Sequence, residues 1–352
     1  MHALRRATAA ALAALAVLTG CTSDSRTAGE ERSPGGPPAA DGERIRGITL
    51  PSWSTDDYDR PEARSYLRQI ADTGARWVVF TPTWYQDGTD RSAMRAGEQT
   101  ASDRSVRRII GLAHAAGLRV MLKPHVDLED GGDRAGIRPR GEGAEDAWFA
   151  AYERFITHYA ALAQELEVAR FSVGTELAGT SGDTTRWRRV IAGVRAVYRG
   201  PLTYAANYDE YARVRFWGAL DLIGIDAYWP LSGEATTDPA RLAKGWRPIV
   251  RELAAFAAEH NRKILFTEAG YASQRGTATA PYSWTISRHP GEEEQSAAYQ
   301  ALLTAFEGRE WWAGVCWWMW DDWPESGETA RKLAYTPHGK PAEDVLRRWW
   351  RG

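Results

Sequence analysis

Two glutamates stand at the ends of short apolar runs. One run reads Phe171-Ser172-Val173-Gly174-Thr175-Glu176-Leu177, the other Ile264-Leu265-Phe266-Thr267-Glu268-Ala269-Gly270-Tyr271. A carboxylate emerging directly from a buried strand is costly unless it is partnered or used, because loss of water penalises the charged form. Two such acids facing each other have the parts needed to cleave a glycosidic bond: one protonates the leaving oxygen, the other attacks carbon or activates water. At a separation of about 5 to 5.5 Å the second carboxylate attacks carbon and configuration is retained, whereas about 6.5 to 9.5 Å admits a water and inverts it.

Other residues near run ends suit a sugar. Trp318 and Trp320 are expected to alternate to the same side, so that one forms a floor under the ring at the cleavage point. Trp84 and Trp229 follow two other runs and are further stacking candidates. The chain holds 17 Trp, and about half of them are expected in the core. His125 and Asn207, also at run ends, would offer polar groups to sugar hydroxyls, with an ordinary structural hydrogen bond as the competing role. Tyr228 either donates its hydroxyl to the Glu268 carboxylate or is a satisfied core tyrosine. Asp226 is expected to be a loop acid or a supporting one instead of a third catalyst. No metal or cofactor is expected. The acidic stretch Asp127-Leu128-Glu129-Asp130-Gly131-Gly132-Asp133 misses the calcium-loop spacing, and no HExxH, paired CxxC or phosphate loop occurs.

These residues need a scaffold that brings distant strand ends to one face. Eight short apolar runs, at 46–50, 77–81, 119–123, 170–174, 202–206, 222–226, 264–267 and 314–318, alternate with amphipathic segments at 61–73, 102–116, 145–167, 184–198, 248–260, 292–306 and 341–350. Only a short helix fits 208–217 after the fifth run. Eight βα repeats without a Gly-rich dinucleotide loop predict one α/β domain, a single (β/α)8 TIM barrel over 44–352, whose chemistry lies at the C-terminal strand ends. The loops 229–245 and 271–290 are expected to wall the cleft.

The motifs Gly174-Thr175-Glu176-Leu177, Asp226-Ala227-Tyr228-Trp229-Pro230, Glu268-Ala269-Gly270-Tyr271 and Trp317-Trp318-Met319-Trp320 together resemble glycoside hydrolase family 113 across the whole barrel. The resemblance implies a retaining enzyme of the large clan whose acid/base follows strand four and whose nucleophile follows strand seven. It makes Glu176 the acid/base and Glu268 the nucleophile, and a β-1,4-mannan or mannooligosaccharide the substrate, with xylan and β-glucan as alternatives. Many members of that clan carry Asn immediately before the acid/base; this chain has Thr175, which argues against a simple cellulase.

The N-terminus has a basic start, an Ala/Leu run to Leu18 and then Leu18-Thr19-Gly20-Cys21. This predicts a lipoprotein signal peptide over 1–21, with lipid on Cys21 and the chain held outside the cytoplasm. Residues 22–43, rich in Ser, Gly, Pro and charge, read as a disordered tether. After Cys21 only Cys316 remains, so the mature chain can form no internal disulfide. With 44 basic and 46 acidic residues the charge is nearly balanced, giving no footprint for nucleic acid or for an acidic polymer. A neutral glycan is therefore the expected partner of a monomer that meets the membrane only through its lipid. A surface lipoprotein that captures glycans without cleaving them would use the same aromatic platforms, but has no need of opposed glutamates.

Overall fold

The computed structural model describes residues 43–323 and 327–351. The predicted signal peptide, its Cys21 and nearly all of the predicted tether lie outside the described residues. Among the described residues no helix is long and apolar enough to cross a membrane.

Eight parallel strands close into a barrel. They are β1 (Ile45–Leu50), β2 (Trp77–Phe80), β4 (Arg119–Leu122), β6 (Arg170–Thr175), β7 (Leu202–Asn207), β8 (Ile223–Asp226), β9 (Ile264–Ala269) and β10 (Trp312–Trp317). Each falls on one of the eight expected apolar runs. Closure is made where β1 pairs with β10, with Ile45 opposite Gly314. Gly314 sits at φ +130°, and a Cβ there would lie 2.1 Å from the Ile45 carbonyl oxygen, so only glycine permits that approach.

Two further strands, β3 (Thr83–Gln86) and β5 (His125–Leu128), form a separate parallel pair. Each prolongs its barrel strand past a proline, Pro82 after β2 and Pro124 after β4. Proline has no N–H to give to a ladder, so barrel pairing stops there and resumes as a two-stranded parapet above the barrel mouth. Extended backbone beyond those two strands is not legible in the eight-run pattern, which ends at the prolines.

The outer helices are α1 (Pro61–Asp72), α2 (Asp103–Ala115), α3 (Ala144–Glu165), α4 (Thr184–Val197), α5 (Pro239–His260), α6 (Glu292–Phe306), α7 (Gly327–Leu333) and α8 (Pro341–Arg351). Helix α5 starts nine residues before the expected 248. Pro248 looked like a helix start, but Asp238 caps Ala240 N–H and Pro239 takes the first turn, so Pro248 lies inside the helix. Between β7 and β8 the chain makes only 3-10 turns, Tyr211–Arg213 and Trp217–Ala219.

The core takes most of the tryptophans. Trp77, Trp148, Trp187, Trp217, Trp246, Trp317 and Trp320 are all less than 2 % exposed. In the layer between sheet and helices, Trp187 lies stacked on Phe216 at 5.3 Å between ring centroids, and Trp317 lies on Tyr299 at 3.7 Å.

Candidate active site

A cleft of about 600 Å³ opens at the C-terminal ends of the barrel strands, lined among others by His125, Glu176, Asn207, Tyr228, Glu268 and Trp318. Six of the nine sequence-predicted catalytic and binding residues therefore meet in one place. The barrel brings them there because each follows or ends a different strand.

Glu268 lies in β9, 5 % exposed. Tyr228, just beyond β8, donates its hydroxyl to Oε2 at 2.7 Å, as one of its two expected roles required. The ammonium of Lys123, just beyond β4 and fully buried, pairs with Oε1. Burial alone would lower the Lys123 pKa, but the charges of Glu268, Asp226 and Glu176 outweigh it and hold the pKa above its usual value. A buried ammonium costs several kcal/mol in lost hydration unless it is paired, so Lys123 and Glu268 make each other tenable. Two donors on its two oxygens suit Glu268 as a carboxylate.

Glu176 follows β6 directly in the left-handed backbone region, φ 53°. For a residue with a Cβ this costs about 1 kcal/mol and persists only where neighbours impose it. They do: Glu176 N–H donates to the Ala205 carbonyl at 2.8 Å and Leu177 N–H to the Tyr204 hydroxyl at 2.9 Å. Tyr204 in turn donates to buried Glu210 at 2.7 Å, and the other oxygen of Glu210 accepts from Asn207 N–H at 3.0 Å. Removal from water, and then the charge of Glu268, push the Glu176 carboxyl up to about 7, against the pull of Arg134 and Lys123. One carboxyl is thus held as an acid near neutrality while the other is cradled by cationic and hydroxyl donors. Such a pair can give a proton at one atom and an electron pair at another.

Asp226 corrects its expected place: it closes β8 and is fully buried, so it is not a loop acid. Thr267 donates to its Oδ1 at 2.7 Å, while Oδ2 has no partner among the described residues. Burial and the nearby Glu268 charge raise its pKa well above the usual range. Thr175 is buried, and its hydroxyl also lacks a partner among the described residues.

Trp318 lies in the cleft with its ring 5.6 Å from the Lys123 ammonium and nearly parallel to His125. Three expected platforms are elsewhere. Trp320 is fully buried and packs on His338 at 4.7 Å. The alternation that grouped it with Trp318 requires a strand, and β10 ends at Trp317. Trp84 faces outward from the cleft, giving its N–H to Tyr159 at 3.1 Å and packing on Phe155. Trp229 packs among Tyr208, Tyr211, Trp246 and Phe266. Its loop, 229–245, lines none of the cleft; Leu231 N–H ties it to the Ala278 carbonyl instead.

The aromatic wall comes from 271–290, as expected, and from residues that sequence reading did not single out. Tyr282 and Trp284, both at least half exposed, line the cleft with Trp53, Tyr85 and Tyr335. Tyr335 donates to the Pro281 carbonyl at 2.6 Å and meets the Trp284 ring edge-on, pinning that turn. The opposite wall is polar, from Asp127 to Arg134. Its acids are engaged: Asp127 by Arg134 at 2.7 Å, Glu129 by Arg95 at 2.7 Å, Asp130 by Gly132 N–H and Asp133 by Ala135 N–H.

The family model for glycoside hydrolase family 113 matches residues 51–340. The chain belongs to that family. As a family 113 member it is a glycoside hydrolase, and the alternative of a capture protein that leaves glycans intact falls away. Similar solved structures include the family 113 β-mannanase AaManA from Alicyclobacillus acidocaldarius in complex with ManMIm. It is 31 % identical, with a TM-score of 0.78 over 88 % of this chain and 97 % of that one. A complex structure of a family 113 β-1,4-mannanase is 28 % identical, again with a TM-score of 0.78, over 88 % and 99 % of the two chains. The β-glucuronidase from Ruminococcus gnavus, 14 % identical and covered over 50 % of its length at a TM-score of 0.58, shares the barrel fold alone. A search of curated proteins returned no match.

Lys123, the ion-pair partner of Glu268, and Arg134, which lines the cleft, are residues that sequence reading missed. Lys123 ends an apolar run that otherwise contains nothing charged after its first residue, and a lysine in that position was the available signal. Arg134 lies in a loop with no periodicity to mark it.

Proposed function

We propose that the enzyme hydrolyses a β-1,4-linked mannan or mannooligosaccharide with retention, Glu176 serving as acid/base and Glu268 as nucleophile. The observation that carries this reading is the unequal treatment of the two glutamates: one pushed up to about 7, the other paired with Lys123 and Tyr228. In the first step Glu268 attacks the anomeric carbon as Glu176 protonates the departing glycosidic oxygen, and a covalent glycosyl-enzyme forms. In the second, Glu176 takes a proton from water, whose oxygen attacks the same carbon and frees Glu268. His125, Asn207 and Trp318 hold the sugar at the cleavage point. The mannan assignment draws on the similar β-mannanases, and the near balance of charge agrees with a neutral polymer.

Wild-type enzyme offered β-1,4-mannan, glucomannan, xylan and mixed-linkage glucan is expected to release mannooligosaccharides from the first two, with the β-anomer appearing first by NMR. Cleavage confined to xylan or glucan would remove the mannan assignment, and an α-anomer appearing first would remove retention.

We further propose that the enzyme works outside the cytoplasm, anchored through lipid on Cys21 and spaced from the membrane by residues 22–43. The support is the Leu18-Thr19-Gly20-Cys21 sequence behind a basic, apolar leader. Cys21→Ser should move activity from the membrane fraction to the soluble fraction or block processing. A variant still processed and membrane-bound would rule the anchor out.

A further inference from the structure

His125 is a buried group that neither gives nor takes a proton in the proposed double displacement. It opens β5, is 3 % exposed and lines the cleft with Glu176, Glu268 and Trp318. Its ring lies 6.2 Å from that of Trp318 at an interplanar angle of 17°. Nδ1 stands 2.8 Å from Nη1 of Arg134, whereas Nε2 is buried and has no partner among the described residues.

Those contacts determine where the ring proton sits. A guanidinium offers donors only and does not give up its charge, so Nδ1 must accept at the Arg134 contact. The single proton of a neutral imidazole is then on Nε2. A second proton is resisted by burial, by Arg134 and by Lys123, which together hold the pKa well below the usual imidazole value. The charged groups around the ring are Lys123 after β4, Asp127 on β5, Arg134 on the following turn, and Glu176 and Glu268 in the same cleft. The result is a neutral ring with a buried N–H and no acceptor for it among the described residues, a costly arrangement unless a ligand supplies one.

Arg134 itself is built into place. The 3-10 turn Arg134–Gly136 is capped by Asp133, which accepts from Ala135 N–H at 2.8 Å. Asp127 accepts from Arg134 Nη2 at 2.7 Å. His125 and Asp127 are two residues apart on β5 and so face the same side, where one guanidinium spans both.

We propose that Arg134 is a positioning residue of the hydrolytic site, holding His125 as the Nε2–H tautomer that donates to a hydroxyl of the sugar lying against Trp318. The sugar's place rests on the proposed hydrolase reading; the tautomer does not. Lysine would not replace Arg134, because a point charge lacks the fork that joins Asp127 and His125 at once.

The test is a long-range proton–nitrogen NMR spectrum of the full chain labelled with ¹⁵N-histidine, His125 being assigned by its absence in His125→Gln. The expected wild-type spectrum has Nε2 protonated and Nδ1 bare from about pH 5 to 8, without titration near the ordinary value of about 6.5. Arg134→Leu is expected to mix the tautomers, bring protonation into that range and raise KM for mannohexaose about tenfold, with a smaller change in kcat. Arg134→Lys should resemble Arg134→Leu in tautomer. A protonated Nδ1 in the wild type, titration near about 6.5, or an Arg134→Leu spectrum matching wild type would overturn the proposal, as would an unchanged KM. Should Arg134→Leu not fold, the wild-type spectrum decides the tautomer alone. An enzyme that cleaves no β-mannan yet gives the Nε2–H spectrum would overturn the substrate reading and leave the tautomer standing.

Discussion

Glu268→Ala is expected to lower kcat on mannooligosaccharides by about four orders of magnitude or more, the scale seen when a covalent nucleophile is removed. In the proposed mechanism the carboxylate supplies the electron pair that displaces the leaving oxygen, and neither neighbouring acid replaces it: Asp226 is fully buried with its pKa raised, and Glu176 is assigned as the acid. Azide should restore turnover of an aryl β-mannoside. The alanine leaves space on the face where Glu268 stood, and azide attacking the anomeric carbon from that face gives the α-configured glycosyl azide, with the phenolate as leaving group. Truncation also leaves Lys123 without its ion-pair partner, a loss that costs about 3 kcal/mol for a buried charge. Glu268→Gln, which keeps an acceptor for Tyr228 and Lys123, separates chemistry from folding and is expected to be as inactive. Full activity in either variant, or a β-configured azide product, would refute the nucleophile assignment.

The second large effect is at Glu176. A carboxyl pushed up to about 7 is protonated below that pH and loses its proton above it. The first step needs the proton, so kcat/KM on mannooligosaccharides should fall about tenfold per unit as pH rises beyond about 7, the basic limb being that of Glu176. Glu176→Gln cannot donate and is expected to lose about 100- to 10,000-fold on mannooligosaccharides, along with that limb. On an aryl mannoside with a strongly acidic phenol the leaving oxygen departs without help. There the first step should be nearly unaffected and the second, now without a base, should become limiting, visible as a burst of phenol. A basic limb that persists in Glu176→Gln belongs to another group, and equal losses on both substrates would argue against an acid/base role.

Much of this enzyme is legible without coordinates. Eight apolar runs became eight barrel strands with boundaries displaced by one or two residues, because a parallel strand buried on both faces must be apolar and short. Both glutamates were found because a carboxylate at a strand end violates that pattern visibly. Failures cluster where the pattern stops. Trp320 was grouped with Trp318 by an alternation that ends with β10 at Trp317. Trp84 and Trp229 were credited to the mouth for following strands, though packing against Phe155 in one case and Trp246 in the other turns them to the core. Tyr282 and Trp284 carry no such positional mark, and Trp53, three residues past the first run as Trp84 is past the second, was not singled out; only the folded loops place them in the cleft.

The sequence by itself determined the barrel, the two acids and the strand ends from which they project, since period and polarity are local properties of the chain. Tertiary structure alone decided the state in which each acid is held. Lys123 after β4, Tyr228 after β8 and Glu268 in β9 are distant in sequence and meet only when the barrel closes. The charge on a carboxylate depends on water excluded and on partners within a few ångströms, and those are properties of distances in space.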